Sequence, residues 1–272
     1  SEYQRYLQSN ADEIDELYRD LLISVTNFFR DPEAFEVLEK KVIPKLFEQK
    51  EPEDPIRIWI TGCATGEEVY SLAILLHEYA ATLDYIPLIK IFGTDISEEA
   101  LRIARKGVYP EAIATDVSDG RLKRYFHKEN SGYRICKEIR EKVLISRHDI
   151  LSDPPFLNQD LISCRNLLIY FNHDLQNEVL NIIHYALRSE GFLFLGLADS
   201  TIGAKQLFAP VEKGNGIYKA RQVPASEKEV PNFPLMPNRH RSRTFGMSNK
   251  TGKNFTFDKT HYSLLAREYA PA

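Results

Sequence analysis

Cysteine is scarce: Cys63, Cys136 and Cys164 are the only three in 272 residues. Three scattered thiols are too few for a disulfide framework or a zinc site, so a reducing, cytoplasmic setting is expected. Long hydrophobic runs are missing too. None approaches the roughly 20 residues that cross a bilayer, and the start is too polar for a secretory signal. An initial methionine is absent, which reads as the mark of a piece of a longer chain. His148, His173 and His184 show no metal-ligand spacing and are expected at the surface or with their hydrogen bonds satisfied. Charge of one sign does not dominate: the formal net charge is −4, which disfavours bulk nucleic-acid binding.

What remains is ordinary globular material, 43% hydrophobic and 27% charged, enough for one large domain or two small ones. Residues 1–50 read as a helical region. Asn10 and Glu13 form a capping box ahead of Ile14, Leu17, Leu21 and Leu22. Asp31-Pro32 restarts the helix, with Phe35, Leu38, Val42 and Leu46 as its buried stripe. From Ile56 the order is strand, helix, strand, helix, with Ser97 capping the last. Alternation of this kind argues for a doubly wound, mostly parallel α/β sheet.

The rhythm breaks over about 107–142, read as an insertion. There Arg121–Phe126 reads as helix, and Gly132–Cys136 is expected to face Ile139–Ile145 as a small antiparallel pair. Between Arg121 and Arg147 stand nine Lys or Arg residues against Glu129, Glu138 and Glu141. That local excess suits an acidic partner surface or a solvated hairpin. The core resumes with Val143–Asp149 and Leu161–Cys164, then a helix over Asp174–Leu187 whose end Gly191 marks. Phe192–Leu197 follows as an inner strand, and Gly216–Ala220 closes the sheet by antiparallel addition. Residues 51–221 thus form the core. The tail, 222–272, carries Pro224, Pro231, Pro234 and Pro237 with Ser, Asn and Lys, a linker composition, and a short helix over His261–Tyr269.

The chemistry concentrates in Ile56–Ile60, the loop Thr61-Gly-Cys-Ala-Thr-Gly-Glu-Glu68, and the strand Ile89–Asp95. Gly62 and Gly66 allow a ligand to approach the backbone, and Asp95 can accept from both hydroxyls of a ribose. Glu67 and Glu68 stand where a pyrophosphate would want bare N–H groups. A ligand with a ribose and a cationic end, such as S-adenosylmethionine, therefore suits the loop better than a dinucleotide. Asn166 beside Arg165 falls at a strand's carboxyl end, where side chains face the ligand crevice. Cys63 and Cys164 are expected as small buried residues rather than nucleophiles.

Five segments in register resemble the chemotaxis receptor methyltransferase family: Ser24–Arg30, Gly62–Ser71, Phe92–Ile96, Cys164–Phe171 and Gly216–Tyr218. The resemblance implies a seven-stranded class I methyltransferase fold. It also implies methyl transfer from S-adenosylmethionine to glutamate side chains of chemoreceptors, with S-adenosylhomocysteine as product. Thr26, Arg30, Gly62, Glu68 and Asp95 would line the cofactor site, Glu68 toward the methionine amino group and Asp95 toward the ribose. Asp149 and Ile150 would sit near the adenine, Arg165 and Asn166 at the methionine end, and Tyr170 near the methyl. Arg30 and Tyr170 are the candidate catalytic, orienting residues. Ser24 stands where the family often has Asn, and His127 and Lys128 where it can carry Arg. Leu264–Pro271 resembles the junction in fusions with methylesterase and sensor domains. Acidic helical segments of receptors would be the partners. A cofactor-binding regulatory module with little activity, or a methyltransferase for small carboxylic acids, would carry the same site.

Overall fold

The computed structural model describes Tyr6, residues 26–48, Lys50, and residues 54–130 and 132–223. The expected helix on Ile14, Leu17, Leu21 and Leu22, its Asn10 cap, Ser24 and the tail beyond residue 223 lie outside the described residues. Ser24–Phe233 forms one compact unit.

After a turn through Phe28–Asp31, helix α1 (Pro32–Val37) starts on its proline. The missing N–H would have had no intrahelical acceptor there. A π-helical turn (Leu38–Val42) leads into α2 (Ile43–Glu48). Phe35, Leu38, Val42 and Leu46 are buried as the periodicity predicts, and Ile43 and Phe47 join them where the π turn widens the buried face.

Strand β1 (Ile56–Thr61) is followed by α3 (Glu67–Ala80), β2 (Ile89–Asp95) and α4 (Glu98–Lys106). Ser97 caps α4 by accepting from the Ala100 N–H. An insertion then contains β3 (Val108–Tyr109), α5 (Asp119–Tyr125), β4 (Phe126–Glu129), β5 (Gly132–Ile135) and α6 (Lys137–Arg140). The chain continues with β6 (Val143–Arg147), β7 (Gln159–Cys164), α7 (His173–Ala186), β8 (Leu187–Leu195), β9 (Phe208–Pro210) and β10 (Ile217–Ala220).

The seven-stranded sheet has the order β6-β2-β1-β7-β8-β10-β9, and the insertion forms a separate three-stranded sheet, β3-β5-β4. The first five strands are parallel; β10 and β9 join antiparallel. This is the mostly parallel, class I methyltransferase arrangement. The inner strands are apolar on both faces because both are covered. Ile56, Ile58 and Ile60 pack with α3, while Ile162 and Cys164 pack with α7. Trp59, the chain's sole tryptophan, is fully buried on the α7 face. Its Nε1–H donates to Thr94 Oγ1 at 2.9 Å, and its ring meets His148 and Phe156 edge-on.

Three local expectations are corrected. Gly132–Ile135 pairs with Phe126–Glu129 and Val108–Tyr109, not with Ile139–Ile145. The turn of α6 turns the chain away, and Val143–Arg147 instead extends the main sheet beside β2. Phe126 leaves the expected helix and opens β4. Gly191 does not end a helix: α7 passes directly into β8, and a Cβ on Gly191 would lie 3.1 Å from the Gln159 carbonyl oxygen. Close strand approach is what calls for a glycine there. Among the described residues no helix is long and apolar enough to cross a membrane.

Candidate cofactor site

The sheet reverses its winding at β1, between β2 on one side and β7 on the other. In such sheets the crevice outside the strands' carboxyl ends takes the ligand. The segments there are the β1–α3 loop, Asp95, the turn after β6, Arg165-Asn166 after β7, and Gly196–Asp199 after β8.

The β1–α3 loop is built from left-handed residues: Gly62 at φ 62°, Ala64 at 46° and Gly66 at 94°. Gly62 is exposed, so its backbone is open to a ligand. Gly66 is buried, and a Cβ there would meet the Ala104 Cβ at 2.8 Å. Its smallness serves the packing of α4 against the loop, a correction to its expected place at the ligand. Asp95 binds the loop to the next strand end. Its Oδ2 accepts from the Ala64 N–H and its Oδ1 from the Ser97 N–H, both at 2.8 Å. Each oxygen keeps a lone pair for a hydroxyl donor.

Arg165 is buried, its guanidinium over the rings of Phe194 (4.5 Å) and Phe35 (5.3 Å). It donates to Glu68 Oε2 at 3.2 Å, to Asp31 Oδ2 at 2.6 Å and to the Arg30 carbonyl at 2.9 Å. Glu68 Oε1 also accepts from Ser163 Oγ at 2.6 Å. One guanidinium therefore clasps α3, the end of β7 and the 28–31 turn together. That turn carries Phe29 at φ 50° and Asp31 at φ 58°, with the Phe29 N–H on Ser71 Oγ at 2.9 Å. Such strained backbone persists only where its surroundings hold it.

Asn166 is left-handed, at φ 56°. Its N–H donates to Asp199 Oδ2 at 2.6 Å, and Asp199 is buried with Oδ1 unpartnered. Asp31, Ser163 and Asp199 were not among the expected site residues. Asp31 reads from sequence only as a helix start, and Ser163 is hidden in an apolar strand. Asp199 follows β8 as Asn166 follows β7, and the same strand-end rule would have found it.

The remaining expected residues stand apart in their bonding. Asp149 spends its carboxylate on its own turn, accepting from the Leu151 N–H and Ser152 Oγ, while Ile150 is buried. Thr26 is half-buried, and Tyr170 lies exposed in a 3-10 turn. No hydrogen bond or ion pair among the described residues joins Thr26, Ile150 or Tyr170 to the Glu68–Arg165–Asp31 group. His148 is buried rather than superficial, its Nε2 on the Pro154 carbonyl and its Nδ1 unpartnered. Cys63 and Cys164 are buried, and desolvation pushes both thiols up, Cys164 to about 12, which leaves them inert as nucleophiles. Burial also raises the Glu67 carboxyl, which accepts from Thr65 Oγ1.

The crevice thus sets Asp31 and Glu68 directly on one buried cation, Arg165, with two further carboxylates, Asp95 and Asp199, held by backbone N–H groups at the neighbouring strand ends. Acid-rich walls, an open glycine backbone and an orphaned buried acceptor fit a ligand with a diol and a cationic end. S-adenosylmethionine, with its ribose, ammonium and sulfonium, meets that description.

Comparison with known proteins agrees. The model of the family described as CheR methyltransferase, SAM binding domain, matches residues 24–217. The 104.1 kDa protein of the hypE 3′ region of Rhodobacter capsulatus is 39% identical over 218 residues, covering 80% of this chain and 23% of that protein. The chain therefore spans about a quarter of that relative's length. A chemotaxis protein methyltransferase of Listeria innocua is 32% identical over 78% of this chain and 77% of its own. The chemotaxis protein methyltransferase of Borreliella burgdorferi is 33% identical over 76% of each. On this match and this crevice, the chain belongs to the CheR methyltransferase family, and S-adenosylmethionine is its cofactor.

Proposed function

We propose that this domain transfers a methyl group from S-adenosylmethionine to glutamate side-chain carboxylates on acidic helical cytoplasmic segments of chemoreceptors, giving glutamyl methyl esters in signal adaptation. Family membership supports the coarser statement, a methyltransferase of the chemotaxis type. The observation that carries the reading is the acid-rich crevice around Arg165, suited to a cationic cofactor and committed to binding rather than proton transfer. The cofactor supplies an electrophilic methyl. A glutamate acceptor, with an ordinary pKa of about 4.3, is already ionised at neutral pH and needs no general base. The chain's task is then alignment and removal of water.

Within the proposal Gly62, Glu68, Asp95, Asp149, Ile150, Thr26 and Asn166 hold the cofactor, with Arg165 acting through Glu68 and the 28–31 turn. Arg30 and Tyr170 orient the incoming carboxylate. Too tight an ion pair from Arg30 would hold the nucleophile back, so its part is positional. The insertion would meet the acidic partner: Arg121, Lys128, Arg134 and Lys137 have carboxylate partners. Among the described residues Lys123, Arg124, Arg140, Lys142 and Arg147 form no direct ion pair, though the charges of Arg124 and Lys142 act on Glu138. The proposed division keeps 1–50 as a helical lead-in and 222–272 as a tail that would link to fused methylesterase or sensor domains.

The test is transfer of labelled methyl from S-adenosylmethionine to an acidic chemoreceptor fragment, with release as methanol by mild base. Label that is stable to base, or absent while cofactor still binds, would sink the ester reading. The second of those outcomes favours a regulatory module, and label on small carboxylic acids alone favours the third reading.

A further inference from the structure

The end of β8 is tied to the end of β7 by an acid that no part of the mechanism above uses. Asp199 folds back on a tight turn, its N–H on the Gly196 carbonyl at 3.0 Å. Its Oδ2 accepts from two backbone donors, Asn166 at 2.6 Å and Gly196 at 3.0 Å. No residue larger than glycine fits between them: a Cβ on Gly196 would lie 2.8 Å from Asp199 Oδ2 and 2.9 Å from the Asn166 nitrogen. The residue is 8% exposed although Leu197 and Ala198 beside it are exposed. It forms no direct ion pair among the described residues and its Oδ1 has no partner in hydrogen-bond geometry, although the Arg165 charge and the Ile169 N–H act on the carboxylate.

A carboxylate buried with no directly paired cation is costly, and an unsatisfied buried acceptor calls for an explanation. Packing supplies none, since a small apolar residue would fill the turn at less cost. What the acid does is local. Left-handed backbone costs less for asparagine than for other non-glycine residues but is still a minor conformation, and the short charge-assisted bond from the Asn166 N–H holds Asn166 there. The turn in turn decides where the Asn166 side chain stands at the carboxyl end of β7. Burial raises the Asp199 carboxyl, while the Asn166, Gly196 and Ile169 N–H groups and the Arg165 charge pull it back down. Those donors are thus matched to its ionised form.

We propose that Asp199 is a positioning residue for cofactor binding, acting through Asn166, whose left-handed turn it holds by the Oδ2 bond. The inference rests on the cofactor half of the reading above and is independent of the methyl acceptor. The experiment is a double-mutant cycle read by calorimetric binding of S-adenosylhomocysteine to the full chain, with no acceptor present. Asp199→Ala should weaken binding by about tenfold, the range of one hydrogen bond to a charged group. Asn166→Gly keeps the left-handed backbone without strain but removes the side chain, and should weaken binding similarly. The double variant should then bind no worse than Asn166→Gly, within about twofold. Asp199→Asn retains an oxygen for both N–H groups and should stay within about threefold of the parent.

Parental affinity in a folded Asp199→Ala variant overturns the proposal, as do losses that multiply in the double variant. If the alanine variant does not fold, Asp199→Ser, which keeps a polar atom but cannot reach Asn166, takes its place under the same criteria. A chain that binds no S-adenosylhomocysteine at all overturns this inference together with the assigned site. A chain that obeys the cycle but esterifies no receptor fragment leaves the inference standing and removes only the glutamate reading.

Discussion

Arg165 and Arg30 show how differently two arginines of one site can act. Arg165 is buried between Phe35 and Phe194 and bound to Glu68 and Asp31. Removing it strands two carboxylates, and breaking a buried pair costs about 3 to 5 kcal/mol. Arg165→Met should therefore lower unfolding stability by about 3 kcal/mol in urea titrations; a loss below about 1 kcal/mol would deny the clasp its role. Arg30 is half-buried, and Arg165 holds its carbonyl rather than its side chain. Arg30→Ala should leave the melting temperature within a few degrees and lower turnover, and unchanged kinetics would remove it from the site. Asp95 and Asn166 were legible as candidates because polar residues at strand ends face the crevice, and Glu68 because an acid in the β1–α3 loop disfavours a pyrophosphate and matches the family. The clasp was not. Its partners Asp31 and Phe35 lie some 130 positions upstream, and no local pattern announces a stacking between segments so distant.

Elements were legible where periodicity was strong and illegible where partnership mattered. The alternation in Gly132–Ile135 correctly says strand, yet says nothing of which strand lies beside it. The answer depends on Gly132, where a Cβ would sit 2.0 Å from the Tyr109 carbonyl oxygen, so only glycine lets β5 close on β3. Gly66, which reads as room for a ligand, and Gly191, which reads as a helix end, likewise serve close packing. In the insertion, α5 exposes Lys123 and Arg124, which form no direct ion pair among the described residues, while Arg121 is held by Glu78 and Glu39. Lys123→Glu/Arg124→Glu should raise KM for an acidic receptor fragment several-fold at low salt, less at high salt, with cofactor affinity unchanged. A KM indifferent to both charge reversal and salt would place the docking surface elsewhere.

At the scale of the whole molecule, a second set of ion pairs stands at the end of the sheet opposite the crevice. The crevice occupies the carboxyl ends of the strands. Around the start of β1, Lys50 is paired with Asp160 at 2.8 Å, and Arg188 grips Asp54 with both terminal nitrogens. Hydrogen bonding from Arg188, helped by Lys50, lowers the Asp54 carboxyl from 3.8 to about 2. A depressed folded pKa means its contribution is complete above the unfolded value and lost as pH falls from about 4 toward 2. Asp54→Asn should therefore be less stable than the parent at pH 7 and converge with it at pH 2 in thermal melts. A constant gap between the two would refute the linkage. The doubly wound class was legible from alternation of strands and helices alone; the antiparallel edge strand β9 was not, because three residues carry no period.

Trp59 gives this architecture an optical voice. A single indole, fully buried at the centre of the sheet and hydrogen-bonded to the strand that ends in Asp95, emits from one apolar environment. Excited at the red edge of its absorption, where the tyrosines stay dark, its fluorescence follows the integrity of β1 and β2 together without a label. The floor beneath the crevice can thus be watched directly while the loops above it are changed.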